Sequence, residues 1–415
     1  MDLNDVFLLM KLDGMRTVFC SLIPLFLIAT NIAATGDDAV DKQLQTLLKR
    51  FPKADANKDG RLTVQEARAF QKSRRKASPK QRVQTQFSAN PGWKLDRFPD
   101  EAVCYKSPQE IKQIYSKLIR NPDSAVTSYD KPKDGALRIV GTGHSFMAPG
   151  YKTFPGIVRA SGLQQPPLLT HTGGGMTGST RYKWEEENGI FQFDGKPKPR
   201  LLASIANAKW DAMMWGPYFN DEPEYYSCWI EFCLKYNPDM KFFLSDAWPQ
   251  LSQLPQPPRS EAELTLATVK KMGNEKNLVF ADNVGQLNKE FPDRVFVMPT
   301  SDAMVLAVRE YLNGNLPGID GIHRFVGGKE RSLWTDQLGH LGPGLGNLEG
   351  YVFYSTIYGK SAELIDENVF NSSDNSFPST ALDTVFRRIA WEAVCNHPLS
   401  GVTDTNEDGI SDERQ

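Results

Sequence analysis

The amino-acid sequence predicts an α/β protein with a mostly parallel, doubly wound sheet, preceded by a small helix–loop–helix unit. Five short apolar runs carry the first part of that expectation: ALRIVGT, PPLLTHT, KWDAMMWG, MKFFLSDAW and RVFVMPT, in order between residues 136 and 300. Helical patterns separate them, notably EPEYYSCWIEFCLKY, ELTLATVKKM and DAMVLAVREYL. Strand and helix in alternation argue for parallel strands with helices on both faces. The separate unit is predicted by two helical segments flanking an Asp-rich loop at 38–75.

At 415 residues the chain has room for more than one domain. A net charge of −2 and a charged fraction of 24% argue against a nucleic-acid partner. Residues 1–35 read as a secretory signal, with Lys11 and Arg16 ahead of an apolar run from Val18 to about Ala34 and cleavage near Ala34–Gly36. Met15 is an alternative start. A secreted, periplasmic or cell-surface location follows, and a membrane role only if that segment is retained as an anchor. Cys20, behind bulky Phe19, does not resemble a lipid-attachment cysteine.

Residues 36–76 hold the helix–loop–helix. Its loop runs Asp55-Ala-Asn57-Lys-Asp59-Gly60-Arg61-Leu62-Thr63-Val-Gln-Glu66. Calcium wants oxygens from loop positions one, three, five, seven and nine and a bidentate glutamate at twelve, with glycine at six for the turn. Asp55, Asn57, Asp59, the Arg61 carbonyl, Thr63 and Glu66 fill those places. Residues 77–133 form a polar, Pro-punctuated segment with one helical stretch, SPQEIKQIYSKLIRN, expected to dock on the domain at 134–398. The acidic tail at 399–415 contains an incomplete second loop, Asp404, Asn406, Asp408 and Asp412, with Gln415 where a bidentate carboxylate would stand. It reads as a weak calcium site or as a solvated tail.

Four cysteines follow the signal segment: Cys104, Cys228, Cys233 and Cys395, too few for a disulfide scaffold. On one helix, five residues would hold Cys228 and Cys233 roughly 8–9 Å apart, beyond the about 7 Å a bridge tolerates. The pairing of the others is open, Cys104 with Cys395 among the options.

Chemistry is proposed by two distant stretches, ALRIVGTGHSF and LWTDQLGHLG. The first brings Ser145 to the carboxyl end of the first strand, where such sheets bind ligands. The second supplies Asp336 and His340 in a Gly-rich loop, and a serine, a base and an acid form a nucleophilic triad from any sequence positions. A serine after a strand is more often a helix N-cap, so Ser145 gains its interest from the late Asp and His. His144 and His171 are rival bases, while His323 and His397 read as structural.

These residues and their order resemble the SGNH (GDSL-like) hydrolases over 134–395. Separately, the 55–66 loop resembles the EF-hand family over about 35 residues. The first resemblance implies a three-layer flavodoxin-like fold and hydrolysis of carboxylic esters. It places the nucleophile at Ser145, the base at His340 and the acid at Asp336. It puts oxyanion donors at Gly173 and Gly174 after the second strand and at Asn220 after the third. Three local departures are visible. His144 stands where the family has Asp or Asn, two extra residues precede Asn220, and Asp-x-x-x-His is one residue longer than usual. The extra residue predicts a smaller share for Asp336. Trp215, Tyr218, Phe219, Trp248 and Trp334 lie near the expected crevice, and exposed rings among them would suit an acylated carbohydrate. The expected function is thus a secreted calcium-binding esterase acting on a small-molecule or polysaccharide ester. The alternative is a non-catalytic, calcium-dependent binding protein on a degenerate version of the fold.

Overall fold

The computed structural model describes residues 48–49, 52–63, 66, 70, 107–116, 126–172, 177–188, 192–193, 196–197, 201–217 and 221–414. The chain divides into two units, one of residues 1–82 with 255–257 and one of 83–254 with 258–415. The signal segment, Cys104, Gly173, Gly174 and Asn220 lie outside the described residues.

All five apolar runs of the larger unit form strands: β1 Ile139–Gly143, β2 Leu169–Thr172, β3 Ala212–Trp215, β4 Lys241–Ser245 and β5 Val295–Met298. They pair in parallel in the spatial order β2-β1-β3-β4-β5. The order reverses beside β1, so the carboxyl ends of β1 and β3 flank the crevice where doubly wound sheets place ligands. The sheet's strands read as continuous apolar runs because both faces are covered. Ile139, Ala212, Met214 and Phe243 face one core, which is completed by helices α2 (Ala148–Ala160), α7 (Thr300–Leu312), α8 (Leu345–Tyr358) and α9 (Thr380–Asn396). Val140, Met213, Trp215, Phe242 and Leu244 face the other, completed by α3 (Gly178–Asn188), α4 (Leu201–Asn207), α5 (Glu224–Tyr236) and one stripe of α6 (Leu266–Glu290). Cys228 and Cys233 are buried on α5 and form no disulfide, as their helical spacing predicts.

The segment before β1 docks as expected. A capping box opens its helix α1 (Pro108–Ser116): Ser107 and Glu110 exchange side-chain-to-amide bonds at 2.8 and 3.3 Å. Ile111 joins the second core, and Tyr129 meets Trp210 edge-on at 5.8 Å. The acidic tail is a docked element rather than a solvated one. Leu399 accepts from the Val297 amide at 2.8 Å, Ile410 bridges Lys360, and the Trp391 indole donates to Asp404 at 3.1 Å.

Helix α8, LGNLEGYVFYSTIY, is buried around nearly its whole circumference, which explains its lack of a polar face. It crosses α2 at paired glycines. A Cβ at Gly350 would stand 2.3 Å from Thr153 Oγ1, and one at Gly150 would stand 2.1 Å from the Phe353 ring. The same crossing buries Glu349, whose carboxylate accepts the Gly150 amide of the first turn of α2 at 2.6 Å. Burial pushes this carboxyl well above its ordinary range, and the Gly150 bond offsets that only in part. A folded-state pKa above the unfolded one penalises the native state once the pH exceeds the unfolded value. Glu349→Gln keeps an acceptor for Gly150. It should therefore raise the melting temperature at neutral and alkaline pH, with the gain fading below about pH 4.3. A melting curve series across pH checks this; a gain that persists undiminished at acid pH contradicts it.

Candidate active site

Strand β1 ends at Gly143, and the chain turns at once. The Met147 amide donates to the His144 carbonyl at 3.0 Å, and α2 follows from Ala148. The cap of α2 is Met147, without a side-chain cap bond. Ser145 is therefore not an N-cap, and its exposed hydroxyl is left for other work. The turn needs a close approach of the β1 and β3 exits. A Cβ at Gly143 would lie 3.1 Å from the Gly216 nitrogen, and one at Gly216 would lie 2.2 Å from Met147 Cγ.

The structure brings Ser145, His340 and Asp336 together. Ser145 Oγ lies 2.8 Å from His340 Nε2, and His340 Nδ1 lies 2.7 Å from Asp336 Oδ2. Asp336 uses its other oxygen to collect three backbone amides: Leu338 at 3.0, Gly339 at 3.1 and His340 at 3.2 Å. The Asp-x-x-x-His spacing works for this reason. The carboxylate closes a turn whose left-handed position is Gly339, φ +88°, and that turn swings the imidazole back over the acid. Burial alone raises Asp336, but the His340 ring and the amides of His340 and Gly339 outweigh it and hold the carboxyl below its usual value. The loop is tied down on both sides. Thr335 donates its amide and hydroxyl to the His340 carbonyl at 2.8 and 2.9 Å, and the Trp248 indole donates to the Gly339 carbonyl.

Two residues not singled out from sequence complete this arrangement. Phe146 stands edge-on to the His340 ring at 5.2 Å and packs on Trp248 at 4.8 Å, so it fixes the face of the base. Arg181, fully buried on α3, reaches Thr142 of β1 at 3.4 Å. Phe146 follows the serine directly, a position that could have been flagged; Arg181 follows the second strand in a segment with no periodic signal.

The rival bases are engaged elsewhere. Burial, with Arg181 as the leading like charge, presses His144 down to about 4, so its ring is neutral through the mildly acidic range. It bonds the Pro217 backbone, and its Nδ1 accepts weakly from the Phe146 amide at 3.4 Å. His171 is sealed in the core 3.5 Å from Glu185. His323, buried and stacked on Trp334 at 6.0 Å, and His397, accepting the Leu399 amide at 3.2 Å, are structural. Trp215, Trp248 and Trp334 are buried and offer no open face for a sugar, contrary to one expectation; Tyr218 and Phe219 lie outside the described residues. The exposed apolar side chain beside the base is Leu338.

The oxyanion residues expected at Gly173, Gly174 and Asn220 fall outside the described residues. Among the described ones, the Ser145 amide donates to no acceptor.

The two Asp-rich loops share one backbone form. At 55–60, Asp59 N bonds Asn57 at 3.0 Å, Gly60 N bonds Asp55 at 2.9 Å, and Lys58 and Gly60 have φ of 60° and 80°. At 404–409 the matching bonds are 3.1 and 3.0 Å, and Glu407 and Gly409 have φ of 59° and 81°. Glu66 turns back to Thr63, accepting its amide at 3.0 Å and its hydroxyl at 2.7 Å. Arg61 follows Gly60 with its amide on Asp59 at 2.8 Å. In the second loop Asp412 accepts the Thr405 amide at 3.3 Å. Among the described residues, no three His, Cys, Asp or Glu side chains converge as a metal centre. No described helix is long and apolar enough to cross a membrane.

No family profile matches the chain, and no curated protein is similar to it. Among solved structures, a DUF4886 family protein from Bacteroides uniformis ATCC 8492 is similar at a TM-score of 0.40 and 10% identity, over 62% of this chain and 95% of that one.

Proposed function

We propose that this chain is a serine hydrolase that cleaves carboxylic esters, on a flavodoxin-like fold of the SGNH (GDSL-like) kind. One observation carries the reading: Ser145, His340 and Asp336 stand in hydrogen-bonded series, 2.8 and 2.7 Å apart, at the carboxyl edge of β1. His340 Nε2 takes the proton of Ser145 as Oγ attacks the ester carbonyl. Asp336 holds the Nδ1–H tautomer and stabilises the imidazolium. The tetrahedral oxyanion is received by the Ser145 amide together with amides at Gly173 and Gly174 and the Asn220 side chain. Collapse breaks the ester C–O bond, and His340 returns the proton to the departing alcohol. Water, deprotonated by the same base, then releases the acid and restores the serine. The substrate is a small-molecule or polysaccharide ester; among the described residues, Trp215, Trp248 and Trp334 are buried and give no preference for the sugar. A fluorophosphonate probe tests the reading. Mass spectrometry should find one adduct, on Ser145; absence of any adduct in folded protein would leave a binding protein on the same fold as the better account.

The reading extends to calcium, bound by an EF-hand-like loop through Asp55, Asn57, Asp59, the Arg61 carbonyl, Thr63 and Glu66. What supports it is the glycine turn at Gly60 and the return of Glu66 to the loop. Asp404, Asn406, Asp408 and Asp412 offer a weaker second place. The ion is structural here, since a serine–histidine–aspartate relay needs no metal. Calorimetric titration of the full chain with calcium should show a saturable heat that Glu66→Gln removes, while hydrolysis continues in chelator. Hydrolysis that stops in chelator although the fold persists would refute the structural assignment. Secretion, or a periplasmic or cell-surface location, belongs to the same proposal.

A further inference from the structure

Strand β4 ends at Ser245, and the next three residues lead to the loop that carries His340. Asp246 is fully buried. Its Oδ1 accepts the Thr300 hydroxyl and the Ser301 amide, each at 2.9 Å, at the start of α7. The Ser245 hydroxyl joins the same knot, 3.0 Å from Thr300 Oγ1, and accepts the Ala247 amide at 3.3 Å. The Asp246 amide donates to the Met298 carbonyl at the end of β5, 3.4 Å away. The exit of β4 is thereby pinned to the exit of β5 and to the helix that follows it.

Beyond the knot, Ala247 is left-handed, with φ +54°. Alanine adopts that conformation only at a cost, and it persists where the surroundings over-determine it. The turn delivers the buried Trp248, whose indole donates to the Gly339 carbonyl. A Cβ on Gly339 would stand 3.2 Å from Gln250 Cγ and 3.6 Å from the indole nitrogen, so the loop's backbone lies directly on this segment. Gly339 is the position whose turn swings the imidazole over Asp336. The Trp248 ring also packs on Phe146, the residue after the nucleophile, at 4.8 Å, and Phe146 meets the His340 ring at 5.2 Å. Trp248 thus touches the loop of the base and the neighbour of the serine together. The knot behind it is itself costly to keep. Asp246 Oδ2 makes no hydrogen bond among the described residues, and burial with the Asp302 charge pushes the carboxyl well above its ordinary range.

We propose that Trp248 is a positioning residue for the base, clamping the His340 loop against the serine turn, and that Asp246 sets its place through Ala247. The inference rests on the serine-hydrolase reading and adds to it what aligns the base.

Trp248→Phe keeps a ring on Phe146 and removes the N–H to Gly339. On 4-nitrophenyl acetate it should lower kcat by about 10- to 100-fold with KM little changed, the loss that a misplacement of about 1 Å produces. Asp246→Ala should act in the same way, while Asp246→Asn, which keeps an oxygen for Thr300 and Ser301, should retain most of the rate. Because the two residues act in series, the double variant should lose no more than the worse single one, whereas independent defects multiply. If Asp246→Ala does not fold, Thr300→Val, which removes one partner of Oδ1, takes its place in the cycle.

A second readout needs no turnover. With isotope-labelled histidine, the His340 Nδ1 proton shared with Asp336 is followed by NMR and identified by its loss in His340→Gln. Its exchange with water should quicken about 2- to 10-fold in Trp248→Phe, the release that one lost hydrogen bond allows. A Trp248→Phe protein that melts lower yet keeps both kcat and this exchange rate has a merely structural tryptophan, and this overturns the proposal. In an active chain, a change in only one of the two readouts overturns it as well. Multiplying losses in the double variant overturn the part given to Asp246. If the chain hydrolyses nothing but the proton is present and Trp248→Phe loosens it, the hydrolase reading falls and the clamp stands. A wild type with neither turnover nor that proton overturns both.

Discussion

Replacing Ser145 with alanine should cost about 10⁶-fold in kcat on a small acetyl ester, and replacing His340 should cost nearly as much, because members of a triad act as a unit. The geometry behind this is the 2.8 Å contact between Ser145 Oγ and His340 Nε2, with no second base in line. His144 is neutral and tied to Pro217, and His171 is sealed against Glu185, so neither can take over the proton. Stopped assays with 4-nitrophenyl acetate on the three proteins are sufficient. A Ser145→Ala protein that keeps most of its turnover would remove the serine from the chemistry altogether. Turnover lost in Ser145→Ala but kept in His340→Ala would instead point to a serine activated by another group.

Asp336→Asn should cost about 10⁴-fold, as loss of the correct imidazole tautomer does elsewhere. The longer Asp-x-x-x-His spacing suggested a smaller share for this residue, but the turn built on Gly339 brings its carboxylate to 2.7 Å from Nδ1. An asparagine can still accept the amides of Leu338, Gly339 and His340 through its carbonyl oxygen, so the loop should keep its shape. The amide NH₂ then faces Nδ1, where only an acceptor serves, and the ring flips its proton to the nitrogen that should receive one from the serine. The loss should appear in kcat with KM little changed. A deficit of only a few fold would mean that the acid does no more than hold the loop.

Much of this architecture is legible in the amino-acid sequence. The five apolar runs became the five parallel strands because a sheet covered on both faces leaves no polar alternation to blur the signal. Ser145, Asp336 and His340 were legible because strand exits and Gly-rich loops are where such sheets hold side chains for chemistry. The orientation of the tryptophans was not, since period-two alternation places Trp215 in a core without saying which face of the sheet is deeper. Nor did the pattern show that α6 runs for 25 residues, because Gly273, Asn274 and Asn277 interrupt its propensity while tertiary packing sustains it. The acidic tail left a weak calcium loop and a solvated tail open by composition, and its docking depends on Trp391 and on the edge at Lys360.

The acid and base lie four residues apart within one self-closed loop, whereas the serine is 195 residues from the histidine. This asymmetry has a consequence for refolding. The loop at 334–341 can close locally and early, but the serine meets its base only when the first strand and the segment beyond the fifth have found each other. Contacts of such separation carry the largest chain-closure entropy and tend to form late. Reactivity toward a fluorophosphonate, sampled at intervals after dilution from denaturant, should therefore lag behind the recovery of helical circular dichroism, and the lag measures the slowest long-range docking in this chain.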